Sequence, residues 1–327
     1  MRARVIRGTR NVFMLAPCEE NAAAGKTEIE WSCSETEVSE QLQCRIKGKV
    51  LKGVEGYYNP LAPGDIVETD GSLITGLVSR RNAFARFNQK GQSPQLLAAN
   101  IDYVACLTTA QMPPFRPRFI DRVLFQAEYS QIPAVIVLNK IDLADDDPET
   151  HERLEDYARI GYKVFCVSSK TGEGIKEFYD FFAGKVLALT GQSGVGKSSL
   201  LKALDPQLKI KTGALNEKYR RGNHTTTQPV FYEVYGEGGT SVSIIDTPGI
   251  RRFAPERVPA QDAALYMREF SALAGSCVFG ASCSHESEEG CRIIDAVNSG
   301  AIHEDRYESF LRIKDEMSGI DKYPDYD

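Results

Sequence analysis

The chain has 327 residues, 42% hydrophobic and 26% charged, with a formal net charge of −6. That length predicts two or three domains, the composition is that of an ordinary globular protein, and the slight acidity does not mark a nucleic-acid binder. Apolar runs such as Ala134–Leu138 are strand-sized, far short of the roughly 20 residues a membrane-spanning helix needs, so no membrane partner is expected.

From Met1 to Leu15 the chain is basic and then apolar, and Leu15-Ala16-Pro17-Cys18 faintly resembles a lipoprotein cleavage box. Its apolar part, Val12–Ala16, is shorter than the roughly 7–15 residues of a signal-peptide core. A β-hairpin is the favoured reading, with Arg4–Arg7 and Asn11–Leu15 joined by a Gly8-Thr9 turn, in a cytoplasmic protein. Cys18–Glu40 is polar and acidic and reads as a long loop. Leu42–Leu51 alternates like a strand, Asn59–Gly64 is a Pro/Gly turn, and Asp65–Thr69 and Ser72–Ser79 are further strands. Short strands without an amphipathic helix predict a small OB-type β-barrel over residues 1–94, its end at Gln89–Pro94 a polar linker.

Strand and helix then alternate. Strands are expected at Ile101–Leu107, Ala134–Leu138, Val164–Val167, Val186–Thr190, Val230–Val234 and Val242–Ile245, and helices at Phe119–Tyr129, Glu149–Ile160, Ile175–Phe182 and from Gly196. This predicts an α/β domain over residues 95–259, built on a mostly parallel sheet. Beyond Pro259 the pattern is helical, ending in an amphipathic helix at Ile302–Asp315, so residues 260–327 form a third unit. From 262 to 327 there are 6 Lys+Arg against 14 Asp+Glu, a net of −8, leaving +2 for the rest. Basic stretches at Arg45–Lys52, Arg80–Arg86, Arg116–Arg122 and Lys218–Arg221 permit RNA contact without demonstrating it.

Gly191-Gln192-Ser193-Gly194-Val195-Gly196-Lys197-Ser198 fits the phosphate-binding P-loop in full, with a strand before it and a helix, opening Lys197-Ser198-Ser199, after it. Its glycines let backbone N–H groups turn onto phosphate oxygens, and the helix N-terminus adds partial positive charge. Lys197 is expected to reach the β/γ-phosphates and Ser198 to ligate Mg²⁺. Asp246-Thr247-Pro248-Gly249 follows a strand; Asp246 suits Mg²⁺, and Gly249 lets the backbone approach the γ-phosphate. Asn139-Lys140-Ile141-Asp142 follows another strand, and Asp142 can accept from the N1–H and amino group of guanine, a donor pair adenine lacks. Lys140 can lie along the base and Asn139 can brace the loop. Ser168-Ser169-Lys170-Thr171-Gly172 resembles the loop whose backbone N–H meets guanine O6.

The order of these motifs is unusual. Ordinary GTPases run P-loop, switch I, Asp-x-x-Gly, then Asn-Lys-x-Asp; here the last comes first, so the domain reads as circularly permuted. Between the P-loop and Asp246, Lys218–Thr227 is Gly-containing, polar and basic and suits a mobile switch I. Thr225 or Thr226 is expected to complete the Mg²⁺ shell. Where many GTPases carry a water-orienting Gln after the glycine, this chain has Ile250; slow intrinsic hydrolysis is expected, with His224 positioning the water.

There are eight cysteines. Cys106 and Cys166, within apolar strands, read as free core residues, and Cys18, Cys33 and Cys44 receive no role. Cys277, Cys283, His285 and Cys291 form Cys-x5-Cys-x-His-x5-Cys, four good ligands with no vacancy, which points to one structural zinc per chain.

The barrel, the permuted motifs, Gly222-Asn223-His224-Thr225-Thr226-Thr227 and the Cys3His cluster together resemble the RsgA/YjeQ family of small ribosomal subunit biogenesis GTPases. Gln95–Asp102 and Cys291–Tyr307 extend the likeness over almost the whole chain. The resemblance implies an OB-fold, a permuted G domain and a zinc domain acting together on the small (30S) subunit and its rRNA. It implies GTP hydrolysis stimulated by that subunit during late maturation, by a monomer cycling between GTP and GDP. A nucleotide-gated RNA- or protein-binding module with negligible hydrolysis is the alternative that Ile250 keeps open; Asn139–Asp142 argue against an ATP-using enzyme.

Overall fold

The structure is a computed structural model describing residues 1–9, 11–21, 30–33, 41–48, 51, 56–88, 93–143, 147–208, 228–236, 240–249 and 258–319. The N-terminal strands are β1 (Arg2–Thr9), β2 (Val12–Asn21), β3 (Glu30–Cys33), β4 (Leu42–Ile46), β5 (Ile66–Thr69) and β6 (Leu73–Leu77). Pairing runs β1-β5-β6-β4-β2 and returns to β1, closing a barrel whose β4–β6 pair is parallel and whose other pairs are antiparallel. This is the five-strand OB order. Period-two alternation puts Ala3, Val5, Phe13, Leu15, Cys44 and Ile74 inside. Gly8 leaves room for the Phe13 ring: a Cβ there would lie 2.1 Å from it and force the ring to move.

The loop expected over Cys18–Glu40 is corrected in part. Strand β2 continues to Asn21 and pairs antiparallel with β3, Cys18 opposite Cys33 and Asn21 opposite Glu30. Main-chain hydrogen bonding defines this ribbon, so its polar side chains conceal it from a hydrophobicity reading. The linker also differs. β7 (Ala83–Asn88) and β8 (Ser93–Ala99) form a two-stranded antiparallel hairpin across that position. It is two-faced: Ala85 and Leu96 pack on Ala62 of the barrel side, and Phe84, Leu97 and Ala98 enter the core of the following domain.

That domain contains β9 (Tyr103–Thr109), α1 (Pro117–Tyr129), β10 (Ala134–Asn139), α2 (Pro148–Arg159), β11 (Lys163–Cys166), α3 (Ile175–Phe182), β12 (Val186–Gly191), α4 (Lys197–Leu204), β13 (Val230–Tyr235) and β14 (Ser241–Asp246). Its sheet order is β11-β10-β9-β12-β14-β13, parallel throughout except β13, which runs antiparallel to β14. Helices on both faces bury the central strands, which is why they read as continuous apolar runs. Cys106 is in this core, but Cys166 is exposed. It is the last residue of the edge strand β11.

The C-terminal unit comprises 3-10 turns at Ala260–Tyr266 and Gly280–Ser282 and helices α5 (Arg268–Ser271), α6 (Arg292–Asn298) and α7 (Glu304–Met317). The His303 ring caps α7, accepting from the Asp305 N–H at 3.1 Å. Among the described residues no helix is long and apolar enough to cross a membrane.

A buried ion network joins this unit to α1. Arg306 donates to Asp121 at 2.7 Å and grips Glu269 with two bonds of 2.6 and 3.0 Å, while the Tyr157 hydroxyl donates to Asp121 at 2.5 Å. Burial disfavours the Arg306 charge, but Asp121 and Glu269 outweigh that and hold it protonated far above its ordinary range. Arg306→Ala would strand Asp121, which is 0% exposed. A destabilisation of about 3–5 kcal/mol is expected, read as a lowered urea midpoint; an unmoved midpoint would show that water replaces the guanidinium at no cost.

Candidate functional site

Parallel strands end at one edge of a sheet, so the loops after β9, β10, β12 and β14 emerge together. All the described motif residues lie there. The loop from Gly191 to Gly196 leaves β12 and opens α4; Gly194 and Gly196 take φ of +85° and +95°, conformations that other residues rarely adopt. A Cβ on Gly196 would lie 2.5 Å from Asn139 Nδ2, and one on Gly191 would lie 2.6 Å from the Leu107 carbonyl oxygen. Val195 is buried in the core and anchors the loop, while Ser193, Ser198 and Ser199 are exposed and Gln192 is half-buried. The Lys197 ammonium is folded back onto the carbonyls of Gly191, at 2.7 Å, and Gln192, at 3.3 Å. Burial lowers its pKa and the nearby Asp246 carboxylate opposes that shift.

Asn139 ends β10 and ties two loops together. Its Nδ2 donates to the Val195 carbonyl at 2.9 Å, and its Oδ1 accepts from the Ser169 N–H at 3.1 Å and hydroxyl at 2.9 Å. Lys140, at φ +62°, donates to the carbonyls of Met112 at 2.5 Å and Gly194 at 2.7 Å. Asp142 accepts from the Ser168 hydroxyl at 2.6 Å, with Lys170 3.7 Å from its other oxygen. The Ser168 hydrogen bond, with help from Lys170, holds this carboxyl below the usual carboxylate range, so it is a ready acceptor. Ser168 itself is buried and also accepts from the Thr171 N–H at 3.1 Å.

Asp246 is buried at the end of β14, beside Leu189 of β12. Thr247 fixes the turn that follows, donating to the Leu189 carbonyl from its N–H at 2.9 Å and its hydroxyl at 3.1 Å. Gly249 lies so close to the P-loop that a Cβ would be 3.2 Å from the Gly191 carbonyl oxygen. His224, Thr225, Thr226 and Ile250 lie outside the described residues. Two contacts escaped the sequence reading: Met112 with Lys140, and Arg86, which donates to the Gly249 carbonyl at 2.9 Å across 163 positions of sequence. No local pattern signals either.

The second cluster is in the C-terminal unit. Cys277, Cys283, His285 and Cys291 are all buried, their ligand atoms within 4.8 Å of one another. Cys277 Sγ is 3.8 Å from Cys291 Sγ and 3.6 Å from His285 Nδ1, and His285 Nδ1 is 3.4 Å from Cys291 Sγ. The edges of a tetrahedron with zinc-type bond lengths are about 3.8 Å for S···S and about 3.5 Å for S···N. These three spacings match those edges, and the four residues are placed to hold a metal ion. Burial lowers the His285 pKa, favouring the neutral ring a metal requires. The Tyr307 hydroxyl bonds the His285 carbonyl at 2.7 Å and the Arg292 N–H points at Cys277 Sγ at 3.4 Å, fixing both ligands from outside.

The family model described as RsgA GTPase matches residues 77–256. The chain belongs to the RsgA GTPase family. It is 39% identical over 282 residues to the small ribosomal subunit biogenesis GTPase RsgA of Borreliella afzelii (strain PKo), covering 85% of this chain and 89% of that one. To the RsgA of Flavobacterium psychrophilum it is 36% identical over 299 residues, with 87% and 90% covered. Among solved structures, YjeQ from Thermotoga maritima superposes with a TM-score of 0.66 at 28% identity, covering 97% and 98% of the two chains. YloQ, a circularly permuted GTPase, has the same fold, with a TM-score of 0.62 at 23% identity and 99% and 96% covered. The chain is thus a permuted RsgA-type GTP hydrolase whose cofactors are a guanine nucleotide and Mg²⁺. Its P-loop suits them: the glycine cradle excludes side chains, and the lysine is held on carbonyls it can leave for phosphate.

Proposed function

We propose that this chain hydrolyses GTP on the small (30S) ribosomal subunit, in contact with its rRNA, as a timer for late maturation. The observation that carries the reading is the convergence of three loops at one sheet edge, with Asn139 tying the Ser168–Lys170 loop to the P-loop. The relatives named as small ribosomal subunit biogenesis GTPases supply the partner. The assignment also makes it a cytoplasmic monomer. In this reading residues 1–94 and 260–327 are the arms that grip the particle, and 95–259 is the motor between them.

Each residue has a role set by its chemistry. Asp142 accepts the two guanine donors, Lys140 lies along the base, and the Ser168–Ser169–Lys170 loop meets the base carbonyl. Backbone N–H groups from Gly191 to Ser199 hold the phosphates, and Lys197 swings from its carbonyl partners to the β/γ-oxygens. Mg²⁺, when bound, neutralises charge on the β- and γ-phosphates. Ser198, Asp246 through water, and Thr225 or Thr226 hold it. Gly249 brings backbone to the γ-phosphate, and His224 orients the attacking water. Zinc is the metal of the Cys277, Cys283, His285 and Cys291 site, in a closed structural role.

GTP turnover measured with and without purified small subunits tests this, with large subunits as control and a His224→Ala protein alongside. Small subunits alone are expected to stimulate turnover strongly, and His224→Ala to lose most of the stimulated kcat. Unstimulated turnover with GTP binding intact would withdraw the ribosomal partner. Full stimulated kcat in His224→Ala would remove His224 from the mechanism.

A further inference from the structure

Gly249 has two close neighbours. The P-loop lies against its Cα, and Arg86 of β7 donates from NH1 to its carbonyl at 2.9 Å. Arg86 belongs to the two-faced hairpin between the barrel and the G domain, not to any nucleotide motif. Its guanidinium is braced by its cross-strand partner Gln95 of β8, whose Oε1 accepts from Nε at 3.4 Å and NH2 at 3.3 Å. The Asn88 amide donates to the same Oε1 at 3.2 Å, so that oxygen is fixed in turn.

The brace continues into the barrel side. Asn59 accepts from the Leu96 N–H at 2.9 Å and donates to the carbonyls of Leu96 at 3.0 Å and Leu61 at 2.8 Å. Two sets of hydrogen bonds, joined through the main chain of β8 between Leu96 and Gln95, therefore connect the loop around Asn59 to Arg86 and the carbonyl of Gly249. A glycine peptide has little intrinsic preference between orientations, because no Cβ restricts its rotation. Whatever grips its carbonyl decides where the peptide points.

We propose that Arg86 is a positioning residue for GTP hydrolysis: by holding the Gly249 carbonyl it orients the Asp246–Gly249 loop against the γ-phosphate, and it makes that orientation depend on the hairpin and the barrel side. The inference rests on the reading of Asp246–Gly249 as the loop that senses the γ-phosphate. GDP has no γ-phosphate, so an effect through this loop discriminates between the two nucleotides. A merely structural role would weaken both alike.

The test is carried out on the full-length protein with Mg²⁺, titrating GTPγS and GDP, and measuring GTP turnover with small subunits. A charge-assisted hydrogen bond to one carbonyl corresponds to about a tenfold effect. Arg86→Ala is expected to weaken GTPγS relative to GDP by about tenfold, to leave GDP affinity within about twofold, and to lower stimulated kcat in proportion. Arg86→Lys keeps a donor but loses the grip on Gln95 and falls between. Gln95→Ala, which leaves Arg86 in place, shifts the GTPγS-to-GDP ratio in the same direction by less. An unchanged ratio in Arg86→Ala, or an equal loss for both nucleotides, overturns the inference. Asp246→Asn separates the two failures: if it too leaves the ratio unchanged, the loop assignment is wrong; if it alters the ratio while Arg86→Ala does not, only the role of Arg86 falls.

Discussion

An Asp142→Asn protein is expected to bind GTP two to four orders of magnitude more weakly than the parent and to accept xanthosine triphosphate in its place. Guanine presents two donors, N1–H and the exocyclic amino group, and a carboxylate accepts both. Asparagine offers one acceptor and one donor, so its NH2 would face the guanine amino group. Each hydrogen bond to a charged group contributes about 1.5–3 kcal/mol; turning one into a donor–donor clash and stripping the charge from the other corresponds to roughly 10²–10⁴ in affinity. Xanthine keeps N1–H and replaces the amino group with a carbonyl, which matches the amide. The Ser168 hydroxyl, 2.6 Å from Asp142 Oδ1, holds the side chain in one orientation. Competition titration with the two triphosphates reads the exchange directly. Equal GTP affinity in parent and variant would mean that Asp142 does not read the base.

Loss of the metal from the C-terminal unit is expected to be the most damaging single change to its fold. The cluster sits within a small apolar core with Phe270, Ile293 and Phe310. His285 is kept at φ +61°, a strained position for a non-glycine residue that its surroundings must enforce. Structural zinc in small units contributes on the order of 10 kcal/mol, more than a unit of this size gains from its apolar core. Cys291→Ser removes a sulfur ligand atom from a buried position at the start of α6. The expected outcome is about one zinc per chain in the parent and well under one in Cys291→Ser, with rapid proteolysis after residue 260 in the variant alone. A metal-free parent that resists proteolysis as well as the loaded protein would show that packing suffices.

The candidate site was legible as a set of motifs because the chemistry they suggest demands particular residues close together in sequence: glycines at fixed offsets, as from Gly191 to Gly196, and one carboxylate after one strand, as at Asp142. The central strands were legible for a different reason: two-sided burial leaves runs such as Ala134–Leu138 with no polar residue. What escaped was held by main chain or by distance. β3 and the far end of β2 are paired through backbone, and their largely polar sequence gives no apolar alternation to read. The β7–β8 hairpin carries Arg86, Asn88 and Gln95 among its apolar residues, and that mixture reads as a linker. Cys166 shares the apolar context of Cys106, but the sequence does not say which strand lies at the edge. The contact of Arg86 with Gly249 has no local trace at all.

The buried contact of Arg306 with Asp121 and Glu269 also restricts how this chain can change over generations. A substitution at Arg306 leaves two carboxylates without their cation, and a substitution at either acid leaves the arginine undercompensated. The three codons are far apart, one in the stretch encoding α1 and two in that encoding the C-terminal unit. None of them can drift alone without loss of stability. A lineage that abandons the network has to replace all three positions with side chains that fill the same space, or tolerate a weakened intermediate on the way. The tie therefore makes the nucleotide-binding part and the metal-bearing part inherit as a matched pair, and grafting the C-terminal unit of one relative onto another will succeed only where these positions agree.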